Sequence, residues 1–140
     1  MPKLLLFDID QTLVSTHGAD RIALNEAFEE MFGVTNGFAG IDFFGRMDLA
    51  IIGDAFRRCC IKESDNDAII THFRDLYLEK LSNILSEWNE GQECPGVGNL
   101  LLELNRLQDV CLGLATGNFR GAAKLKLERY GLWEFFEDGG

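Results

Sequence analysis

Residues 4 to 7, Leu-Leu-Leu-Phe, form a short unbroken apolar run that ends at Asp8, the pattern of a strand buried on both faces in a parallel sheet. The period then becomes helical: Leu24, Ala27, Phe28, Met31 and Phe32 recur along one face, and Gly33 is placed to end the segment. The stretch GVTNGFAGIDFFGRMD that follows is Gly-rich and predicts a loop. A second helical pattern covers about 47 to 60, and a longer third carries Ile69, Phe73, Leu76, Tyr77, Leu81, Ile84, Leu85 and Trp88 on one face. Pro95 and Gly96 break the chain before another amphipathic segment with Val97, Leu100, Leu101, Leu104 and Leu107. Residues 110 to 115 read as a second apolar strand ending at Thr116, and a last helical pattern, about 119 to 130, stops near Gly131. A third strand is expected to start near Phe135.

The two strand signals lie about a hundred residues apart, far more than the dozen or so that a single crossover helix needs. The chain therefore predicts an α/β fold in which a small helical domain, roughly residues 16 to 93, is inserted between the first two strands of a sheet. That insertion would stand over the carboxyl end of the first strand, where open α/β sheets bind ligands.

Composition narrows the classes of function. With 140 residues, 46% of them apolar, the chain can bury a real core. Thirteen basic against 23 acidic residues give a formal charge of −10 with no basic cluster, which argues against nucleic acid and anionic membranes as partners. Cys59, Cys60, Cys94 and Cys111 lack zinc-type spacing and read as reduced thiols. No run of 18 apolar residues and no secretory leader is present, so a cytoplasmic location is expected.

The chemistry begins with Asp8 and Asp10, two residues apart and thus on the same side of an extended chain, about 6 to 7 Å along it. Adjacent carboxylates repel, and are kept together where a cation or a proton transfer uses them. Mg²⁺ suits such a pair, since it commonly binds one or two carboxylates together with substrate phosphate. Asp8 could attack phosphorus, and Asp10 could protonate the leaving oxygen and later take a proton from water. After the second strand, LATGNFR places Thr116, Gly117 and Asn118 just before a helix, where a hydroxyl and backbone amides can hold an anion.

LLLFDIDQTLV resembles the first motif of the haloacid dehalogenase-like hydrolase superfamily, an apolar strand followed by Asp-x-Asp-x-Thr, and VCLGLATGN resembles its second. The helical insertion and PGVGNLLLEL are similar to the phosphoglycolate phosphatase-like branch with a helical cap. The resemblance implies a Rossmann-like core from residues 1–15 and 94–140 and an all-helical cap from 16–93. It implies a Mg²⁺-dependent phosphatase acting on a small phosphorylated metabolite. Asp8 would be the phosphorylated nucleophile and Asp10 the general acid/base; the Asp8 carboxylate and the Asp10 backbone carbonyl would bind the metal, and Thr116, Gly117 and Asn118 the phosphoryl group. An acid at position 10 matches the phosphate-ester branch, since the dehalogenase branch has an aromatic residue there and the ion-pump branch Thr.

The family's third motif is a Lys that pairs with the nucleophile and the phosphate; Lys126 is the first candidate and Lys124 the second, while Arg46 of FFGRMD could reach an anionic substrate. Gln11 stands where the family usually has Gly. The fourth motif, an acidic pair that completes the metal site, has no place before Gly140. The sequence accordingly predicts an incomplete sheet, an N-terminal portion of a phosphatase, with weak or no turnover by the 140-residue chain and self-association through the unfinished sheet. A phosphomutase of the same fold and a non-catalytic phosphate-binding or interaction protein are the alternatives.

Overall fold

The structure, a computed structural model, describes residues 2–62 and 66–136. Strand β1 (Lys3–Phe7) pairs in parallel with β4 (Val110–Leu114), in register from Lys3 opposite Val110 to Phe7 opposite Leu114. Between them in the chain come β2 (Val14–Ser15), α1 (Ala19–Phe32), α2 (Asp48–Arg58), α3 (Asp67–Ser86), β3 (Gln92–Glu93) and α4 (Val97–Asn105). Helix α5 (Arg120–Arg129) and a 3₁₀ turn (Trp133–Phe135) follow β4.

Local chemistry explains the boundaries. Gly33 ends α1 in the left-handed conformation at φ 68°, its N–H returning to the Glu29 carbonyl. The Asn66 side chain caps α3 by accepting from the amides of Ala68 and Ile69. Trp88 falls beyond the end of α3, and its indole N–H donates to the Thr16 carbonyl at 2.6 Å, pinning the chain where it leaves the helix. Leu107 likewise lies beyond α4.

Buried side chains form two clusters. One gathers α1, α2 and α3 around Phe28, whose ring lies 4.9 to 6.1 Å from those of Phe32, Phe38, Phe56 and Phe73. Burying each such ring stabilises the fold by roughly 2 to 3 kcal/mol. The other joins Ile9, Leu13 and Val14 to Leu101, Leu112, Ala123, Leu127 and Phe136. Helix α5 serves both, with Ala122 in the first and Ala123 and Leu127 in the second. The chain passes between the clusters at β2 and β3, a two-residue antiparallel ribbon pairing Val14 with Glu93 and Ser15 with Gln92.

Two expectations are corrected. β1 is not buried on both faces: Leu5 and Phe7 pack into the second cluster, but Leu4 and Leu6 are 63% and 59% exposed. Among the described residues, helices cover one face of this strand, and strand side chains alternate. The segment at Phe135 is a 3₁₀ turn rather than the start of a strand, because the Phe135 and Phe136 amides turn back onto the carbonyls of Leu132 and Trp133; the stretch after Phe136 lies outside the described residues. The four cysteines are free thiols, and no described helix is long and apolar enough to cross a membrane.

Candidate active site

β1 ends at Phe7, and Ile9, fully buried, anchors the loop that follows. The Ile9 carbonyl accepts from the amides of Thr12, Leu13 and Val14, winding the chain into a tight turn. Asp8 and Asp10 therefore flank a fixed point, and both line one cleft of about 760 Å³, a size typical of small-molecule sites. Gln11 completes the turn at φ 66°. The backbone conformation that favours Gly is thus kept without Gly, at a cost on the order of 1 kcal/mol.

The loop after the neighbouring strand β4 brings Thr116, Gly117 and Asn118 to the same cleft. The Asn118 side chain donates through Nδ2 to Asp10 Oδ2 and to Thr116 Oγ1, both at 2.8 Å, and its backbone N–H donates to Thr116 Oγ1 at 3.2 Å. The loops that end the two paired strands are thereby tied together.

Lys126 lies on the buried face of α5 with Ala122, Ala123 and Leu127, and its side chain is 1% exposed. Nζ donates to Asp10 Oδ1 at 2.8 Å, Asn118 Oδ1 at 2.7 Å and Asp20 Oδ2 at 3.3 Å. Burial works against this charge, but the carboxylates of Asp20 and Asp10 outweigh it and hold the ammonium pKa above the usual lysine value. The ammonium thus sits on Asp10 and not on Asp8, the partner the resemblance implied. Lys124, two residues earlier on a helix, faces away and lies 3.8 Å from Glu128. Arg46 lines the cleft with its guanidinium bound to Asp54 on α2. The Asp8 carboxylate is exposed and has no hydrogen-bond or ion-pair partner among the described residues.

Two further carboxylates at the site were not singled out from the sequence. Asp20 and Asp48 occupy the first turns of α1 and α2, where acids are ordinary partners of the helix dipole and carry no signal of a site. Folding turns Asp20 onto Lys126 and Asp48 onto the loop after β4. There the Phe119 N–H donates to Asp48 Oδ2 at 2.9 Å and the Asp48 N–H to the Gly117 carbonyl at 2.9 Å. Gly117 is required by this seat: a Cβ there would stand 2.7 Å from the Met47 Cα and 2.9 Å from the Arg46 carbonyl oxygen.

Burial pushes the Asp48 carboxyl up from 3.8 to about 6, only partly offset by the Phe119 amide and Lys126. A raised carboxyl pKa means that the folded state binds more protons than the unfolded one between those values. Its contribution is then full below pH 3.8 and lost as pH rises through about 6. Asp48→Asn keeps an acceptor for Phe119 and removes the ionisation. It is expected to stabilise the protein at pH 7 by on the order of 1 to 2 kcal/mol, with the gain vanishing at pH 4, as thermal melts at the two pH values would show.

By the resemblance, a metal would be held by the Asp8 carboxylate and the Asp10 backbone carbonyl, on two residues that line the cleft. Among the described residues no group of three or more His, Cys, Asp or Glu is placed to hold an ion. An all-oxygen pair of this kind fits Mg²⁺, which keeps several waters and shares substrate phosphate, rather than metals that favour Cys or His ligands.

Solved structures with this fold include CbbY from Rhodobacter sphaeroides in complex with phosphate, at TM-score 0.63 and 22% identity over 98% of this chain and 62% of that one. A predicted phosphoglycolate phosphatase from Haemophilus somnus gives TM-score 0.59 and 17% identity, over 96% and 60% of the two chains. A protein from Thermotoga maritima predicted to be a β-phosphoglucomutase gives 0.52 and 21%, over 96% and 59%. The chain thus spans about three fifths of the length of the structures it matches. No curated protein matches it in sequence. The haloacid dehalogenase-like hydrolase model matches residues 2–139, nearly the whole sequence, including the paired strands β1 and β4 and the loops after them that carry Asp8 and Thr116: the chain belongs to the haloacid dehalogenase-like hydrolases.

Proposed function

We propose that the full-length protein is a Mg²⁺-dependent phosphatase that hydrolyses a small phosphate monoester through an aspartyl-phosphate on Asp8, beneath a cap formed by residues 16–93. The observation that carries this is the Asn118 amide, which joins Asp10 after one strand to Thr116 after the other at 2.8 Å each, in a cleft with an Asp8 carboxylate that has no hydrogen-bond or ion-pair partner among the described residues. A phosphoryl group between the two loops meets Asp8 on one side and the Thr116 and Gly117 donors on the other.

In the first half-reaction an Asp8 oxygen forms a bond to phosphorus as the ester P–O bond breaks, and Asp10, which enters this step protonated and leaves it as the carboxylate paired with Lys126, gives its proton to the leaving oxygen. In the second, water attacks phosphorus, Asp10 takes the water proton, and the Asp8–phosphorus bond breaks to release inorganic phosphate. Lys126 and Asn118 hold Asp10 in place for both steps. The Asp8 carboxylate and the Asp10 carbonyl would hold Mg²⁺, which would supply positive charge that lets two anions meet. Asp8 is exposed, so water reaches an ester formed on it, which favours hydrolysis over retention of the phosphoryl group for a mutase.

The test uses protein carrying Asp10→Asn, which slows the second step, incubated with Mg²⁺ and a nitrophenyl phosphate, whose leaving oxygen departs without needing the Asp10 proton. A phosphoryl adduct mapped to Asp8 by mass spectrometry is the expected result. Absence of any adduct, together with phosphate release that chelation leaves unchanged, would rule the mechanism out.

A further inference from the structure

On the phosphatase reading, on which this inference rests and which it deepens, the cleft must also receive the alcohol to which the phosphate is joined. The side chains around it favour one class of alcohol. The loop before α2 and the start of that helix contribute Phe43, Phe44, Met47 and Ile51 to the lining, together with Asp42. Phe44 is 80% exposed and Met47 60%. Large apolar side chains turned to solvent at a cleft are placed to be covered by a ligand.

The charges point the same way. Five aspartates line the cleft, Asp8, Asp10, Asp20, Asp42 and Asp48, against two arginines. Both arginines are held by the protein. Arg46 donates to the Asp54 carboxylate and to the carbonyls of Asp42 and Ala50. Arg21 donates to the carbonyls of Phe38 and Ile41, with its guanidinium 4.0 Å over the Phe43 ring. Lys126, beneath the floor, is taken by Asp10 and Asp20. His17 also lines the cleft. Among the described residues, the lining offers no uncommitted lysine or arginine to a second negative group, while Asp42, fixed by accepting from the Phe44 N–H at 3.0 Å, would repel one.

We infer that the substrate is a phosphate monoester whose leaving alcohol carries no negative charge, and is apolar or cationic where it meets Phe43, Phe44 and Met47. Carboxylated monoesters and bisphosphates are disfavoured. An ammonium group would gain from both the phenyl faces and Asp42.

The experiment titrates the Asp8→Asn protein without added metal, since the amide removes the negative charge that the ion would otherwise offset, at pH 8 and reads affinity by calorimetry. The probes are inorganic phosphate, phenyl phosphate, phosphocholine, 2-phosphoglycolate and fructose 1,6-bisphosphate. Phenyl phosphate and phosphocholine are expected to bind at least about tenfold more tightly than the two anionic probes, and Asp42→Lys in the same background to narrow that gap about tenfold, a coupling of about 1.4 kcal/mol. Equal or tighter binding of 2-phosphoglycolate or the bisphosphate, with inorganic phosphate bound, overturns the inference and leaves the phosphatase standing. Failure to bind any probe, inorganic phosphate included, overturns both.

Discussion

Replacing Asp8 by Asn in the full-length protein is expected to lower kcat by about 10⁴-fold or more while leaving the fold intact, because a nucleophile and a metal ligand vanish together. The amide has the same shape but neither the charge to bind Mg²⁺ nor an oxygen able to form the phosphate ester. Stability should change by less than about 0.5 kcal/mol, since Asp8 is exposed and its carboxylate has no partner among the described residues. Phosphate release under single-turnover conditions and a thermal melt check both halves. Activity above about a hundredth of the parent's would place the chemistry on another residue.

Lys126→Met is expected to damage function and stability together. Methionine keeps much of the buried volume on this face of α5, yet the ammonium that joins Asp10, Asp20 and Asn118 disappears. Removing one member of a buried ion pair costs about 3 to 5 kcal/mol, and the lower figure applies because the Asp10 side chain is 43% exposed and can rehydrate. Turnover should fall by about a hundredfold or more, the range associated with a mispositioned general acid. The sign of the pH response is fixed as well. The Lys126 pKa is raised, so its stabilisation is complete below the ordinary lysine value and is lost as pH rises beyond it. Urea unfolding over a rising pH series should therefore show the gap between parent and variant holding up to the ordinary lysine value of 10.5 and narrowing only above it. A variant as stable and as active as the parent at pH 7 would show that the lysine is packing alone.

Much of this was legible in the chain, for identifiable reasons. Long helices with one apolar face declare themselves, and Gly33 marked the end of α1 because few other residues accept its backbone angles. The two strand ends were legible because each joins an apolar run to polar residues with a specific chemistry, Asp8 and Asp10 in one case and Thr116, Gly117 and Asn118 in the other. What escaped depends on distance in three dimensions. The ribbon of β2 and β3 is two residues long on each side, too short for an alternating pattern to show. Asp20 and Asp48 look like any acids in a first helical turn, and only the packing of α1 and α2 against the strand ends gives them partners. Exposure of Leu4 and Leu6 could not be read either, because their sequence is the same whether one face of the sheet is covered or both.

The direction of the hydrogen bonds at Thr116 has a consequence for what the site accepts. A hydroxyl oxygen has two lone pairs, and both are taken at Thr116 Oγ1, one by the Asn118 backbone N–H and one by its side-chain amide. The amide cannot turn over to relieve this, because its oxygen already receives the Lys126 ammonium and its nitrogen already donates to Asp10. The remaining hydrogen of the hydroxyl is thus obliged to point away from Asn118, and Thr116 meets the cleft as a donor alone. An oxygen anion finds a proton waiting for it there; an alcohol or amine offering its own hydrogen finds no acceptor. Polarity of this kind sorts ligands before any charge is counted, and it is set by a residue that never titrates.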